Sequence, residues 1–252
     1  MHALVRRPGP FLDEGLLTHQ HRVPVDVELA TQQWERYVDA LREAGWVITE
    51  VEPADDCPDA VFIEDAVVLF DDLAVVTRPG APSRQPETEA AERAAQSLGV
   101  EVAVITAPAT LDGGDVLKIG RTAYVGVGGR TDDAAIGQLT ALLEPRGWTV
   151  VDVPITKVLH LKSAVTALPD GTVVGYPDLV DDTDAFPSFL AVPEPAGAHV
   201  VLLDDNTLLM AADAPLSATM FRDLGHVVVE VDISEFEKLE GCVTCLSVRH
   251  RA

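Results

Sequence analysis

The strongest constraint on the fold is a unit that recurs along the chain: two apolar segments around a polar turn, then a helix-length segment and a β-branched segment. Four such units are visible, with turns at 71–73, 120–122, 170–171 and 204–206. Polar turns between apolar segments are typical of β-hairpins. The unit is therefore strand, strand, helix, strand, and each copy must bury its apolar face against its neighbours.

The helices of this unit are predicted from apolar residues at three- and four-residue spacing, over 27–44, 87–98, 132–143 and 216–224. A glycine follows each segment, where helices commonly end in a left-handed residue: Gly45, Gly99, Gly147 and Gly225. β-branched segments come next and supply the third strands, at 46–51, 100–105, 148–153 and 226–231. The unit after His160 is shorter, and its helix is weakly marked.

A fifth unit forms if the N-terminal segment 2–6 pairs with the C-terminal segment 244–248. This pairing would join the ends of the chain and close a ring of five modules around a pseudo-symmetry axis. We therefore predict one α/β domain over residues 1–252, built as a ring of five modules. Equivalent positions of the modules would converge on its centre.

Composition limits the ligand classes. The chain has 252 residues, is 47% hydrophobic and carries a formal net charge of −23. A negative surface repels nucleic acid and attracts a small cation. No segment approaches the roughly 20 apolar residues that span a bilayer, and the N-terminus lacks the apolar core of a signal peptide. Three cysteines build no disulfide framework, so we expect a cytoplasmic protein.

Reactive residue types recur at one phase of the unit, just before or at the first strand of a hairpin. They are Glu64 and Asp65, then Asp112 and Asp115, then His160, and finally Cys245. In a closed ring these positions would meet. A cysteine, a histidine and carboxylates are the parts needed for nucleophilic attack with acid and base assistance.

Two other motifs have competing interpretations. Cys242-Val-Thr-Cys245 has the spacing of redox and zinc motifs, but no second pair of ligands completes a zinc site, and the motif enters a strand rather than a helix. Gly113-Gly114 has neither a following helix nor the Lys-Ser/Thr of a phosphate loop. Those glycines instead let the backbone pass close to the reacting centre.

Five segments resemble the motif set of the dimethylarginine dimethylaminohydrolase family, in the same order. They are Asp59-Ala-Val-Phe-Ile-Glu64-Asp65, Thr77-Arg-Pro-Gly-Ala-Pro-Ser-Arg84, Ala109-Thr-Leu-Asp-Gly-Gly-Asp-Val-Leu117, Leu159-His-Leu-Lys-Ser163 and Glu240-Gly-Cys-Val-Thr-Cys-Leu-Ser-Val248. The resemblance implies the five-bladed α/β propeller of the pentein fold, which agrees with the repeat count. It also implies hydrolysis of Nω-methylated arginines, a small cationic guanidine as substrate, and no metal or other cofactor.

The resemblance assigns Cys245 as nucleophile, His160 as general acid and base, and Asp112 as the carboxylate that orients the histidine. It further implies a set of substrate-binding residues. These are Glu64 and Asp65 for the guanidinium, Asp59 as a further substrate-binding carboxylate, Arg84 and Arg130 for the α-carboxylate, Leu17 in a lid, and Glu240 where the family carries an aspartate.

Three related activities stay open at this point: arginine deiminase, agmatine deiminase and amidinotransferase. Arginine deiminases typically carry an acidic residue two positions after the catalytic histidine, and this chain has Lys162 there, which favours methylarginines. A different alternative is a non-catalytic propeller that binds arginine or a protein partner. The oligomeric state, including a homodimer, is also open.

Overall fold

The computed structural model describes residues 1–251. The strands are β1 (His2–Val5), β2 (Val47–Glu50), β3 (Val67–Phe70), β4 (Leu73–Val76), β5 (Glu101–Val104), β6 (Val116–Ile119), β7 (Thr122–Val127), β8 (Thr149–Pro154), β9 (Val165–Ala167), β10 (Val173–Gly175), β11 (Phe189–Ala191), β12 (Val201–Leu202), β13 (Thr207–Ala211), β14 (Val227–Val231) and β15 (Val248–His250). The α-helices are α1 (Val27–Glu43), α2 (Thr88–Ser97), α3 (Asp133–Leu143), α4 (Pro215–Asp223) and α5 (Ser234–Glu237).

These strands form five sheets of three strands each, in the orders β15-β1-β2, β3-β4-β5, β6-β7-β8, β9-β10-β11 and β12-β13-β14. In every sheet the first pair is antiparallel and the second pair is parallel. A parallel pair needs a crossover connection, which four of the modules supply as an α-helix. The predicted strand, strand, helix, strand unit is confirmed in those four modules.

The ends of the chain close the ring as predicted. β1 pairs antiparallel with β15, and His2 lies opposite His250 while Leu4 lies opposite Val248. The C-terminal partner begins at Val248 rather than at 244. The reason is a turn in which the Cys245 amide donates to the Cys242 carbonyl at 3.0 Å, so the preceding residues are not extended.

Local chemistry explains where the helices begin and end. Asp26 and Asp132 precede α1 and α3, and their side chains accept hydrogen bonds from the free amides of the first turn. The four predicted glycines after the helices adopt positive φ, between 77° and 96°. The module that follows His160 has no α-helix within the described residues; short 3₁₀ turns, Pro177–Leu179 and Thr183–Ala185, make its crossover instead.

Apolar clusters fill the spaces between neighbouring sheets. In one of them Phe70 from the second module stands edge-on to Trp148 from the third, with ring centroids 5.2 Å apart. This contact ties the second module to the third. Across residues 1–251, no helix combines the length and the apolar character that crossing a membrane requires.

Candidate active site

A small cavity of about 20 Å³ lies where the predicted reactive positions converge. It is lined by residues from several modules: Leu16, Asp59, Phe62, Asp65, Arg84, Arg130, Leu159, His160, Leu239, Glu240, Gly241 and Cys245. The ring therefore brings together the cysteine, the histidine and carboxylates from separate hairpins. One water molecule needs about 10 to 15 Å³, so the cavity is closed in this structure to anything much larger.

Cys245 lies in the turn before β15 and is 8% exposed. Its carbonyl accepts the amide of Glu64 at 3.2 Å, which fixes the turn against the second module. The hydrogen bond with Cys242, burial and nearby carboxylates raise the pKa of the Cys245 thiol well above its ordinary value. In the absence of substrate, Cys245 is therefore protonated at neutral pH.

His160 is buried between two carboxylates. Its Nε2 lies 2.9 Å from Oδ2 of Asp112, and its Nδ1 lies 3.7 Å from Oδ1 of Asp65. Burial opposes protonation of the imidazole, but Asp65, Asp115 and Asp112 outweigh it and raise the pKa of His160 to about 9. The imidazole is consequently a cation at neutral pH, with a proton available for transfer.

Asp115, which the sequence pattern places at the centre of the ring, holds the backbone around His160 in the structure. Its Oδ1 accepts the amide of Leu161 at 2.9 Å, and its Oδ2 accepts the hydroxyl of Thr131 at 2.6 Å. Thr131 in turn accepts the amide of Asp112 at 3.1 Å. Asp115 thus fixes the backbone beside His160 and beside Arg130. The repeated aspartate in Asp112-Gly-Gly-Asp115 was the only sequence signal for this role.

The two glycines of this motif make close packing at the centre feasible. A Cβ on Gly113 would lie 2.0 Å from the carbonyl oxygen of Glu64. A Cβ on Gly114 would lie 2.6 Å from Oδ1 of Asp65 and 2.7 Å from Nδ1 of His160. Real Cβ atoms do not approach so closely. The glycines therefore let the backbone pass next to the imidazole, as the sequence interpretation required.

Arg84 lines the cavity, but its guanidinium is already engaged. It donates to Asp65 at 2.6 Å and to both carboxylate oxygens of Glu87, at 3.0 and 2.8 Å, and NH2 also donates to the carbonyls of Asp59 and Phe62. Of its five N–H groups, at most one, on NH1, remains for a ligand. Together with His160, Arg84 overcomes the effect of burial and lowers the pKa of Asp65 to about 2.

Arg130 is the less committed of the two predicted arginines. Its NH1 lies 3.7 Å from Oδ2 of Asp112, beyond hydrogen-bond distance, and its side chain keeps 13% exposure at the cavity. Its backbone packs against Gly80, where a Cβ would lie 2.4 Å from the Arg130 carbonyl oxygen. The backbone of Arg130 is therefore held in place, while N–H groups of its guanidinium remain available to a ligand.

Two predicted substrate-binding carboxylates hold a surface segment in this structure. We call residues 16–22 the lid segment. Asp59 accepts the amide of Leu16 at 3.1 Å on both oxygens, and Oε1 of Glu240 accepts three consecutive amides, of residues 18, 19 and 20, at 2.9, 2.5 and 2.7 Å. The other Glu240 oxygen, Oε2, is buried and has no partner among the described residues. Leu16 lines the cavity, whereas the predicted Leu17 packs against the apolar core.

Glu64 is not brought to the small cavity. Its Oε1 lies 2.6 Å from Nζ of Lys162 and 3.5 Å from NH2 of Arg249. All three side chains line a second cavity of about 620 Å³ among the hairpins. Successive residues of a chain point in different directions, so Asp65 faces His160 while Glu64 faces the lysine. Glu64 therefore does not line the small cavity, and its contact with a guanidinium stays a prediction.

Asp65, Asp112 and His160 also have the donor chemistry of a metal site, since one ligand atom from each lies within 4.8 Å of the others. Each of these three side chains already has hydrogen-bond partners within the protein. Asp112 accepts the Gly80 amide at 2.8 Å as well as facing His160, and Asp65 accepts the Gly114 amide and Arg84. These contacts hold the imidazole by themselves.

Sequence comparisons agree with this architecture. The family model described as arginine deiminase matches residues 53–201. N(G),N(G)-dimethylarginine dimethylaminohydrolase of Streptomyces coelicolor is 62% identical to the chain, over 99% of the chain and 96% of that protein. The protein of that name from Pseudomonas aeruginosa is 34% identical, over 98% of each chain.

Solved structures give the same result. The chain is similar to a mutant of the dimethylarginine dimethylaminohydrolase from Pseudomonas aeruginosa complexed with citrulline, with a TM-score of 0.92, 33% identity and coverage of 99% and 98%. A dimethylarginine dimethylaminohydrolase adduct with S-methyl-L-thiocitrulline also gives a TM-score of 0.92, at 32% identity and 99% coverage of both chains.

Five three-stranded modules around a central site with cysteine, histidine and carboxylates define a pentein of the guanidino-group-modifying class. The extent of the similarity then decides the family, because it covers nearly the whole chain at 62% identity. The chain belongs to the dimethylarginine dimethylaminohydrolase family.

Proposed function

We propose that this protein hydrolyses Nω-methylated L-arginines to L-citrulline and a methylamine, with Cys245 as the nucleophile. The observation that carries the proposal is that Cys245 and the imidazole of His160, whose pKa is raised to about 9, line one small cavity. The relatives named for dimethylarginine hydrolysis support the choice of substrate. The proposed substrate is a small cation, in keeping with the net charge of −23.

A guanidinium carbon is a poor electrophile because its charge is delocalised, so carboxylates must hold that charge while sulfur attacks. Asp65 has a pKa of about 2 and is therefore ionised at neutral pH. Glu240 also lines the cavity, and its Oε2 has no hydrogen-bond partner among the described residues. The bound cation also favours thiolate at Cys245, whose pKa is high in the free enzyme. Substrate binding thus activates its own nucleophile.

Proton transfer falls to Nδ1 of His160. Nε2 is held by Asp112, whereas Nδ1 has no hydrogen-bond partner among the described residues. Thiolate attack forms the bond from Sγ to the guanidinium carbon, and the imidazolium protonates the departing amine, which leaves a thiouronium. The now neutral His160 takes a proton from water as that water attacks the same carbon. Cys245 then leaves as thiolate, and the second proton of the attacking water passes to solvent as the carbonyl of citrulline forms.

Arg130 is the residue that we assign to the α-carboxylate of the substrate. Its guanidinium keeps donors at the cavity, whereas at most one N–H of Arg84 is free. We assign Arg84 chiefly to holding Asp65 in place, with its remaining N–H as a second contact. Charge-assisted contacts of this kind contribute about 1.5 to 3 kcal/mol each.

Binding requires the lid segment to move, because a cavity of about 20 Å³ does not admit an amino acid. Asp59 and Glu240 hold the lid segment shut through its amides. The backbone near residues 16 and 17, once reclosed, would lie over the far end of the substrate. Closure excludes water that would otherwise compete for the thiouronium.

The three cysteines of the chain, Cys57, Cys242 and Cys245, are free thiols. Free thiols in a nucleophilic site fit a reducing compartment, and we propose the cytoplasm for that reason.

The test is to incubate purified protein separately with arginine, monomethylarginine, asymmetric dimethylarginine and agmatine and to quantify citrulline-type product. We expect turnover of the two methylated arginines and little of agmatine. Arginine deiminase is the second candidate, since that family model matches more than half of the chain. Arginine as the best substrate would establish the deiminase, and no product from any substrate would remove the hydrolase proposal.

A further inference from the structure

The sulfur of Cys242 lies 3.3 Å from the sulfur of Cys245. The Cys245 amide donates to the Cys242 carbonyl at 3.0 Å, so the two cysteines are the first and fourth residues of a hydrogen-bonded turn. Such turns bring their end Cα atoms within about 7 Å, and disulfides span Cα separations of about 4.4 to 6.8 Å. The backbone therefore already has the spacing that a disulfide needs.

Nothing in the hydrolysis uses Cys242. Its side chain is 4% exposed, and its sulfur contacts Cys245 and the hydroxyl of Thr244 at 3.1 Å. The hydrogen bond from Cys245 lowers the pKa of Cys242 to about 5. One proton is thus shared within the pair, and the thiolate character that oxidation and disulfide exchange require is present beside the nucleophile.

The small volume of the cavity limits which reagents reach Cys245. Its volume of about 20 Å³ admits a molecule close to water in size. A peroxide is of that size, whereas a tripeptide thiol is not. If Cys245 is oxidised behind the closed lid segment, the thiol that reacts next has to come from the protein, and Cys242 is the one in contact.

We propose that Cys242 is a resolving cysteine, which closes a reversible disulfide with Cys245 when a peroxide oxidises the nucleophile. The proposal rests on the proposed function only in taking Cys245 as that nucleophile. The modification would stop turnover and protect the sulfur from irreversible oxidation to the sulfinic acid.

The chemistry has two steps. The proton that the pair shares moves from Cys245 to Cys242 across their contact of 3.3 Å. The Cys245 thiolate then attacks one peroxide oxygen, the O–O bond breaks, and the departing hydroxide takes the proton from Cys242, which leaves a sulfenic acid, a Cys242 thiolate and one water. The Cys242 thiolate then attacks the sulfenic sulfur, the S–O bond breaks, and a second water leaves. Two thiols lose two electrons in total, and one peroxide is reduced to two waters. A dithiol reductant reverses the result when the lid segment opens, as it must for substrate to enter.

The test is to treat the full-length protein with hydrogen peroxide, alkylate the remaining thiols and digest with trypsin. Cleavage after Lys238 and Arg249 releases one peptide that holds both cysteines. We expect this peptide to be about 2 Da lighter than the dithiol and unalkylated. Activity towards dimethylarginine should fall with its appearance and return completely with dithiothreitol. Cys57→Ser, which removes the remote thiol, should behave like the wild type.

Cys242→Ser should lose this reversibility: peroxide should leave Cys245 heavier by two oxygens, about 32 Da, and dithiothreitol should not restore activity. Cys242→Ala repeats the test if the serine variant fails to fold. The proposal is overturned if wild-type Cys242 remains alkylatable while activity is lost, or if both Cys242 variants recover as the wild type does. A disulfide detected by mass in a protein without turnover would count against the proposed function alone.

Discussion

Glu240→Gln is the substitution that most sharply tests the closed lid segment. Glu240 has φ of 60°, an uncommon backbone conformation for a residue with a side chain, which indicates that the surrounding contacts over-determine its position. One carboxylate oxygen accepts three consecutive amides of the lid segment. Glutamine keeps the shape and one acceptor oxygen but removes the charge. The change therefore isolates what the charge of Glu240 contributes to holding the lid segment closed.

The expected magnitude follows from those three bonds. A hydrogen bond to a charged group contributes about 1.5 to 3 kcal/mol and a neutral one about 0.5 to 1.5 kcal/mol. The amides share one acceptor at an exposed segment, so the losses do not add fully. We expect Glu240→Gln to destabilise the closed lid segment by about 1 to 3 kcal/mol in total. This corresponds to a roughly 5- to 150-fold larger population of protein with the lid segment open.

Hydrogen exchange measures that population directly. Amides of residues 18–20 should exchange roughly 5- to 150-fold faster in Glu240→Gln, while those of β7 (Thr122–Val127) keep their wild-type rates. Asp13→Asn is the matched control, because it removes an exposed carboxylate next to the lid segment. The Asp13 carbonyl accepts a hydrogen bond from Arg22, and this bond does not involve the carboxylate that the substitution removes. Unchanged exchange rates at residues 18–20 in Glu240→Gln would refute the claim that Glu240 holds the lid segment closed.

Further predictions concern the chemistry. Gly114→Ala forces a methyl against His160 and should lower kcat about 10²-fold or more, whereas Gly137→Ala, whose methyl meets nothing within 4 Å, should retain activity. Arg130→Ala should reduce kcat/KM for dimethylarginine roughly 10- to 150-fold and hardly change the poor agmatine rate; equal losses would make Arg130 structural. In a pH series kcat/KM should decline as His160 loses its proton near pH 9. Asp65→Asn removes a carboxylate that favours the imidazolium, so that decline should move to lower pH; a fixed position would contradict the assigned pKa.

The fold could be predicted from the sequence because each local signal agreed with the repeat. Helix α1 was predicted over 27–44 and spans Val27–Glu43, and Gly45 ends it with φ of 84°. Closure of the ring was predicted, but the pairing segment was wrong by several residues. The turn at 242–245 carries the nucleophile, and nothing in the apolar pattern of that segment distinguishes a turn from a strand.

The site was harder to predict, because motif position does not give side-chain direction. Glu64 and Asp65 are adjacent, yet one faces Lys162 and the other faces His160. The motif around Arg84 predicts an arginine that binds a ligand. In the structure, two N–H groups of Arg84 instead donate to the carboxylate of Glu87, three residues later. Such pairings depend on burial and on distant partners, which a single sequence does not contain.

The most direct test of covalent hydrolysis at Cys245 is to quench the protein during turnover of asymmetric dimethylarginine and to measure both the products and the protein mass. We predict citrulline and dimethylamine in equal amounts. We also predict an adduct equal to the substrate less dimethylamine on the tryptic peptide with Cys245, and neither products nor adduct with Cys245→Ser. Release of ammonia in place of dimethylamine, or wild-type turnover by Cys245→Ser, would contradict the account.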